Sequence, residues 1–140
     1  MRALLDTCVI SEIARTGGTE RVRQRVAALR AEDTFLSVIT LGEIVHGIAR
    51  LPRSKKRTAL EGFLDRMERD FASRIVGIDI ETARIWGELT ARASSRGQIV
   101  PPTDGLIAAS ALRHGLHVMT RNVSDFAPTG ALILNPWDDA

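Results

Sequence analysis

The chain has no tyrosine, one cysteine, two lysines and only 4 % aromatic residues in a length of 140. Each scarcity excludes something. A lone cysteine, Cys8, supports neither an intramolecular disulfide framework nor a cysteine-rich zinc site, and it fits a reducing compartment. The lysines, Lys55 and Lys56, stand side by side in mid-chain, so there is no glycine-rich phosphate loop ending in lysine and no late lysine of the receiver type. There is no His-x-x-x-His pair for zinc. No apolar run approaches the ~18 residues of a membrane helix. The first one, Ala3-Leu4-Leu5, is far short of the ~7–15-residue core of a signal peptide. A cytoplasmic location without membrane contact is the expectation. What is present is an ordinary globular composition, 44 % hydrophobic and 26 % charged, without repeats or low-complexity tracts. The length points to one domain, 1–140, large enough to bury about 68 % of its surface. Lys+Arg number 19 against 17 Asp+Glu, a net charge of +2, and nearly all the cations are arginine. The arginine fork matches phosphate geometry; so mild an excess permits nucleic-acid binding without demanding it.

Short apolar segments alternate with helical patterns. Strands are expected at Arg2–Leu5, Thr34–Val38, Arg74–Ile78, His117–Thr120 and Ala131–Leu134. Val9–Ala14 opens a short helix, and Thr19 caps the next, whose face is Val22, Val26 and Leu29. Thr40 and Glu43 have capping-box spacing before the stripe Leu41, Ile44, Val45, Ile48 and Leu51. Pro52 stops that helix, and a second over Ser54–Phe71 makes a helical hairpin with it. Ile80, Ala83, Trp86, Leu89 and Ala93 share a further helical face. Thr103 caps a helix running to His114 that is apolar almost all round over Leu106–Leu112 and therefore central. This alternation predicts an α/β domain: a mostly parallel sheet of four to five strands, helices on both faces and a protruding helical hairpin.

In such sheets ligands bind beyond the carboxyl ends of the strands. Acids stand there repeatedly. Asp6 follows the first strand, Glu43 lies in the helix after the second, Asp104 begins the central helix, and Asn122 and Asp125 follow the fourth strand. Each alone reads as a cap, a capping-box partner or a first-turn acid. Together on one rim they repel one another, which a hard divalent cation offsets. Such an ion activates water and holds a phosphodiester.

In these residues the chain resembles the PIN-domain ribonucleases, in particular VapC-type toxins of type II toxin–antitoxin pairs. The matching segments are Leu4-Leu5-Asp6-Thr7 with Val9-Ile10-Ser11-Glu12, Ser37-Val38-Ile39-Thr40 with Glu43, Asp104-Gly105-Leu106-Ile107-Ala108-Ala109, and Thr120-Arg121-Asn122 with Asp125-Phe126. The ending Asn135-Pro136-Trp137 is similar to the FitB-like branch. The resemblance implies a Mg²⁺- or Mn²⁺-dependent endoribonuclease. It also implies a homodimer and a cognate antitoxin that blocks activity and forms a hetero-oligomer with it; operator DNA would be reached only through that antitoxin. It implies a site of Asp6, Glu43, Asp104 and a fourth acid, with Asp6 and Asp104 the most direct metal ligands. Two departures stand out. Cys8 occupies a position where the family usually has Asn. Some relatives place an acid where Asn122 stands, whereas here the acid is Asp125; the fourth role goes to Asp125, with Asn122 supporting it.

Thr7 and Thr120 are placed to orient carboxylates through their hydroxyls. Arg121 adjoins the site and either contacts an RNA phosphate or pairs with a pocket carboxylate. Arg50, Arg53, Lys55, Lys56 and Arg57 cluster at the hairpin tip, as an RNA track or a solvated turn. The reading that follows is hydrolysis of RNA by metal-activated water. Its rival is a regulatory module that keeps the toxin fold to pair with an antitoxin and act in operator DNA binding, with little nuclease activity. A DNA nuclease with the same carboxylates differs only in substrate.

Overall fold

Strand β1 (Ala3–Leu5) has every side chain buried, as an uninterrupted apolar run in the middle of a parallel sheet requires. The computed structural model describes residues 1–138, so the last two residues of the expected domain, 1–140, lie outside the described residues. On one side β1 pairs with β2 (Thr34–Ser37), and β2 with β3 (Ile75–Val76). On the other it pairs with β4 (His117–Met119), and β4 with β5 (Ile133–Leu134). The order is β3-β2-β1-β4-β5 with all pairs parallel, which meets the expected sheet at its five-strand limit.

Alternation along each strand divides the core in two. Leu4, Phe35, Val76, Val118 and Ile133 point to one face, where they meet Leu89 of helix α5 (Ile80–Ser95) and Ile107, Ala108 and Ala111 of helix α6 (Pro102–His114). Ala3, Leu5, Leu36, Ile75, Met119 and Leu134 point to the other. There they meet Val9 and Ile10 of α1 (Thr7–Ala14), Val22 of α2 (Glu20–Ala27) and Met67 of α4 (Lys55–Asp70). Helix α3 (Val38–Ala49) forms the expected hairpin with α4 and packs Ile39 into the first cluster and Leu41 and Ile44 into the second. The short helix α7 (Val123–Phe126) is anchored by Phe126, which is 0 % exposed. No helix among the described residues is long and apolar enough to cross a membrane.

Several local expectations are corrected. Strand β2 ends at Ser37, whose hydroxyl accepts the Ile39 N–H at 3.0 Å, so α3 starts at Val38 and not after Thr40. Thr40 is inside the helix and fully buried, and its hydroxyl has no partner among the described residues; there is no capping box, and Glu43 is released for other bonds. Thr103 does not cap α6, which enters at Pro102 with no side-chain cap, since the fixed φ of Pro101-Pro102 already sets the helical entry. Thr19 stands at the start of α2, but its N–H and hydroxyl both donate to Glu12 Oε1 (2.7 and 3.0 Å), tying α2 to α1. In α5 Trp86, Leu89 and Ala93 face inward as expected and are joined by Thr82 and Ile85, whereas Ile80 is 76 % exposed and Ala83 exposed. Asp79 sets that phase by accepting from the Thr82 N–H and hydroxyl at 2.8 and 2.7 Å. The central helix α6 buries Ile107 through Ala111 as expected, while Leu112 at its end is exposed.

Replacing Phe126→Ala empties the anchor of α7 and is expected to lower unfolding stability by about 3–4 kcal/mol in a urea titration. A loss below about 1 kcal/mol would show that α7 does not depend on this side chain.

Candidate active site

Strands β1 and β4 are neighbours in space but belong to opposite halves of the winding. The crevice beyond their carboxyl ends is the topological switch point of the sheet. Asp6 is the first residue past β1, and its N–H donates to the Met119 carbonyl at the end of β4 (2.9 Å). Its carboxylate is only 3 % exposed. A buried carboxylate needs donors, and it has them: Oδ1 accepts the Thr7 N–H at 2.8 Å, and Oδ2 accepts the Thr120 hydroxyl at 2.7 Å. Thr120 is itself fully buried, and its oxygen accepts the Asn122 N–H at 3.0 Å, which fixes the direction in which its proton points.

Thr7 does double duty. Its N–H serves Asp6, and its hydroxyl donates to Glu43 Oε1 at 2.7 Å. Asp104 enters from the first turn of α6 and is half-buried. Its carboxyl is pushed up from an ordinary 3.8 to about 6, first by burial, then by the charges of Asp6, Asp125 and Glu43. The fold thus gathers all four predicted acids at one edge. Asp125 is the exposed member, carried by α7. None of the four joins an ion pair among the described residues. As they stand, no three His, Cys, Asp or Glu side chains among those residues are close enough to hold a metal ion together. The edge is a concentration of negative charge.

The remaining expectations divide. Asn122 is exposed and contributes its backbone N–H; its side chain makes no cap bond. The Arg121 guanidinium pairs with no carboxylate among the described residues and lies over the Trp137 ring, 5.3 Å from its centroid. At the hairpin tip Arg50, Arg53, Lys55 and Lys56 are solvated, while Arg57 donates to the Leu51 carbonyl (2.9 Å) and pairs with Glu61 (3.8 Å). Cys8, at the position where the family usually has Asn, is half-buried and belongs to the site. Its Sγ accepts the Arg121 N–H at 3.4 Å and lies 3.6 Å from Asp6 Oδ2 and 3.5 Å from the Thr120 hydroxyl. Burial pushes its thiol up, so it stays protonated and is no nucleophile. The signal was available in its position two residues after a helix-capping Asp, on the turn that faces β4.

A five-stranded parallel sheet with four acids over its switch point is the arrangement of a PIN domain. The PIN-domain family model matches residues 3–129, and the chain belongs to that family. Over 98 % of its length it is 36 % identical to the VapC ribonuclease Y4jK of Sinorhizobium fredii, of which it covers 99 %. Over 97 % it is 38 % identical to the toxin FitB of Neisseria gonorrhoeae, again covering 99 %. Among solved structures, FitAB bound to an IR36 DNA fragment matches with a TM-score of 0.92 at 36 % identity, covering 97 % of this chain and 96 % of that one.

Because its folded pKa is raised, Asp104 in the native state holds a proton that the unfolded chain releases between about pH 4 and 6. Stability contributed by the protonated carboxyl therefore falls as pH rises through that window, and the penalty is complete above about 6. In metal-free buffer Asp104→Asn is expected to raise the unfolding temperature by roughly 3–6 °C at pH 7.5. The gain should shrink toward zero near pH 4. A variant less stable than the parent at pH 7.5, or a gain independent of pH, would contradict the electrostatic account.

Proposed function

We propose that the protein is the toxin of a type II toxin–antitoxin pair and acts as a divalent-metal-dependent endoribonuclease, with Asp6, Glu43, Asp104 and Asp125 as the residues that hold the metal. The observation that carries this reading is the gathering of Asp6, Glu43, Asp104 and Asp125 at one edge beyond β1 and β4, where burial first and then the charges of the other three push the Asp104 carboxyl up. The donor set fits a hard ion. It consists of carboxylate oxygens, and the one soft donor nearby, Cys8, is protonated and engaged with the Arg121 N–H. Mg²⁺ or Mn²⁺ suits such a set. Bound there, the ion supplies charge neutralisation and polarisation of water at a phosphodiester.

The chain's own residues do the positioning. Asp6 is immobilised by the Thr7 N–H and the Thr120 hydroxyl, so its burial leaves little freedom to turn away. Glu43 is aimed by the Thr7 hydroxyl. Asp104 is set by the rigid start of α6, and Asp125 closes the edge from solvent. None of these side chains is an activated nucleophile, which supports direct attack by water without a covalent enzyme intermediate.

Relatives named as a ribonuclease and as a toxin, together with a solved complex containing DNA, support the wider reading. The toxin works in the cytoplasm as a homodimer, joins a cognate antitoxin in a hetero-oligomer, and reaches operator DNA through that antitoxin.

Antitoxin-free protein incubated with cellular RNA is expected to cut it with Mg²⁺ or Mn²⁺ and not with EDTA. Asp104→Asn should cut at least ~100-fold more slowly, the scale of losing one electrostatic contributor. In parallel, Mg²⁺ should raise the unfolding temperature of the parent and leave that of Asp104→Asn nearly unchanged. Cleavage that survives EDTA, or a folded variant of full activity, would remove the assignment. Folded protein that binds the ion but cuts no RNA would favour the operator-binding module, and cleavage of DNA alone would favour a DNA nuclease.

A further inference from the structure

Strands β4 and β5 are adjacent, so the residues that follow them emerge side by side at the carboxyl edge. The Thr120 N–H donates to the Leu134 carbonyl at 2.9 Å, and beyond this bond stand Arg121 on one strand and Asn135-Pro136-Trp137 on the other. The turn is not a loose end. Asn135 Oδ1 accepts the Trp137 N–H at 3.0 Å. From α2, Arg21 Nη1 donates to the Trp137 carbonyl (3.0 Å) and Arg25 Nη1 to the Asn135 carbonyl (3.3 Å). Pro136 is buried, and the Trp137 ring packs against the second apolar cluster. The ring is therefore fixed, and the Arg121 guanidinium lies over it at 5.3 Å.

Arg121 is the counterpart of that fixed ring. Its backbone N–H is held by Cys8 Sγ at 3.4 Å, beside Asp6. Its side chain is exposed, and among the described residues the stack on Trp137 is the contact its guanidinium makes. Glu12 feels its charge but is already taken by the Thr19 N–H and hydroxyl and by Arg15. The donor fork of Arg121 stays open while its guanidinium lies over an aromatic face, a few residues from the carboxylates. An arginine stacked in this way is organised for a phosphate oxygen pair. Four acids repel a polyanionic strand, and a cation at their rim offsets that repulsion where the strand arrives.

We propose that the Asn135-Pro136-Trp137 turn is part of the substrate site: Trp137 is a positioning residue that holds Arg121 to take a backbone phosphate of a single-stranded nucleic acid crossing the carboxylate edge. The proposal rests on the nuclease reading only for the path of that strand.

The test is binding, with EDTA present so that nothing is cut. A labelled single-stranded RNA oligonucleotide and its DNA equivalent are titrated by fluorescence anisotropy across a series of salt concentrations. Arg121→Ala is expected to weaken Kd about tenfold and to flatten the slope of log Kd against log salt by about 0.7, one phosphate contact on a single strand. Arg121→Lys should restore the slope but not the full affinity. Trp137→Leu should weaken Kd about threefold and add nothing when combined with Arg121→Ala. Where Trp137→Leu lowers the unfolding temperature, Trp137→Phe, which keeps a ring face, replaces it in the comparison and should retain most of the affinity. An unchanged Kd and slope in Arg121→Ala, additive effects of the two substitutions, or parent protein that binds neither strand would overturn the proposal. Asp104-dependent cleavage with unaltered Arg121→Ala binding would overturn it and leave the nuclease standing. Arg121-dependent binding without cleavage would do the reverse.

Discussion

The hydrogen bond between the Thr120 hydroxyl and Asp6 Oδ2 joins the two halves of the molecule. It spans the seam between β1 and β4, where the winding reverses, and it is buried at both ends. A carboxylate placed at 3 % exposure without such a donor would pay a large desolvation cost. With it, and with the Thr7 N–H, the charge is tolerated at the one place where residues from both halves converge. Around this bond the other contacts are ordered: Asn122 orients Thr120, Thr7 carries the constraint on to Glu43, and Cys8 links Asp6 to the backbone of Arg121.

Against that fixed centre stands an unresolved repulsion. Asp104 is brought toward Asp6, Glu43 and Asp125 by the rigid entry of α6, and it joins no ion pair among the described residues. Structures hold such uncompensated charge where function uses it. The stability forgone at this edge is supplied by the apolar layers on either side of the sheet, where Leu4 and Leu5 of one short strand feed both clusters. The rim is built on a different principle. There Arg121 is kept in place by stacking on Trp137 and not by pairing, which leaves its charge available at the mouth of an acidic site.

Much of the architecture was legible because it rests on short-range patterns. Apolar runs of strand length alternating with helical stripes predicted the parallel sheet, and acids after strands predicted a common rim. Local starts misled where two residues competed for one task. Ser37 caps α3 in place of Thr40 because β2 ends one residue earlier than its apolar run, and Asp79 phases α5 so that Thr82 faces inward. No periodicity reports which of two neighbouring hydroxyls or carboxylates reaches a backbone N–H first.

The sequence by itself determined the class of fold, the four acids and the order in which they come, since burial pattern and residue chemistry are properties of each segment alone. Only the tertiary structure decided how they act on one another. The pairing of β1 with β4 put Thr120 on Asp6 across more than a hundred residues, and the pairing of β4 with β5 put Trp137 under Arg121. The charge state of Asp104 likewise depends on its burial and on three acids from three other elements. These are consequences of strand order and register, which local sequence leaves open and which packing of the whole sheet selects.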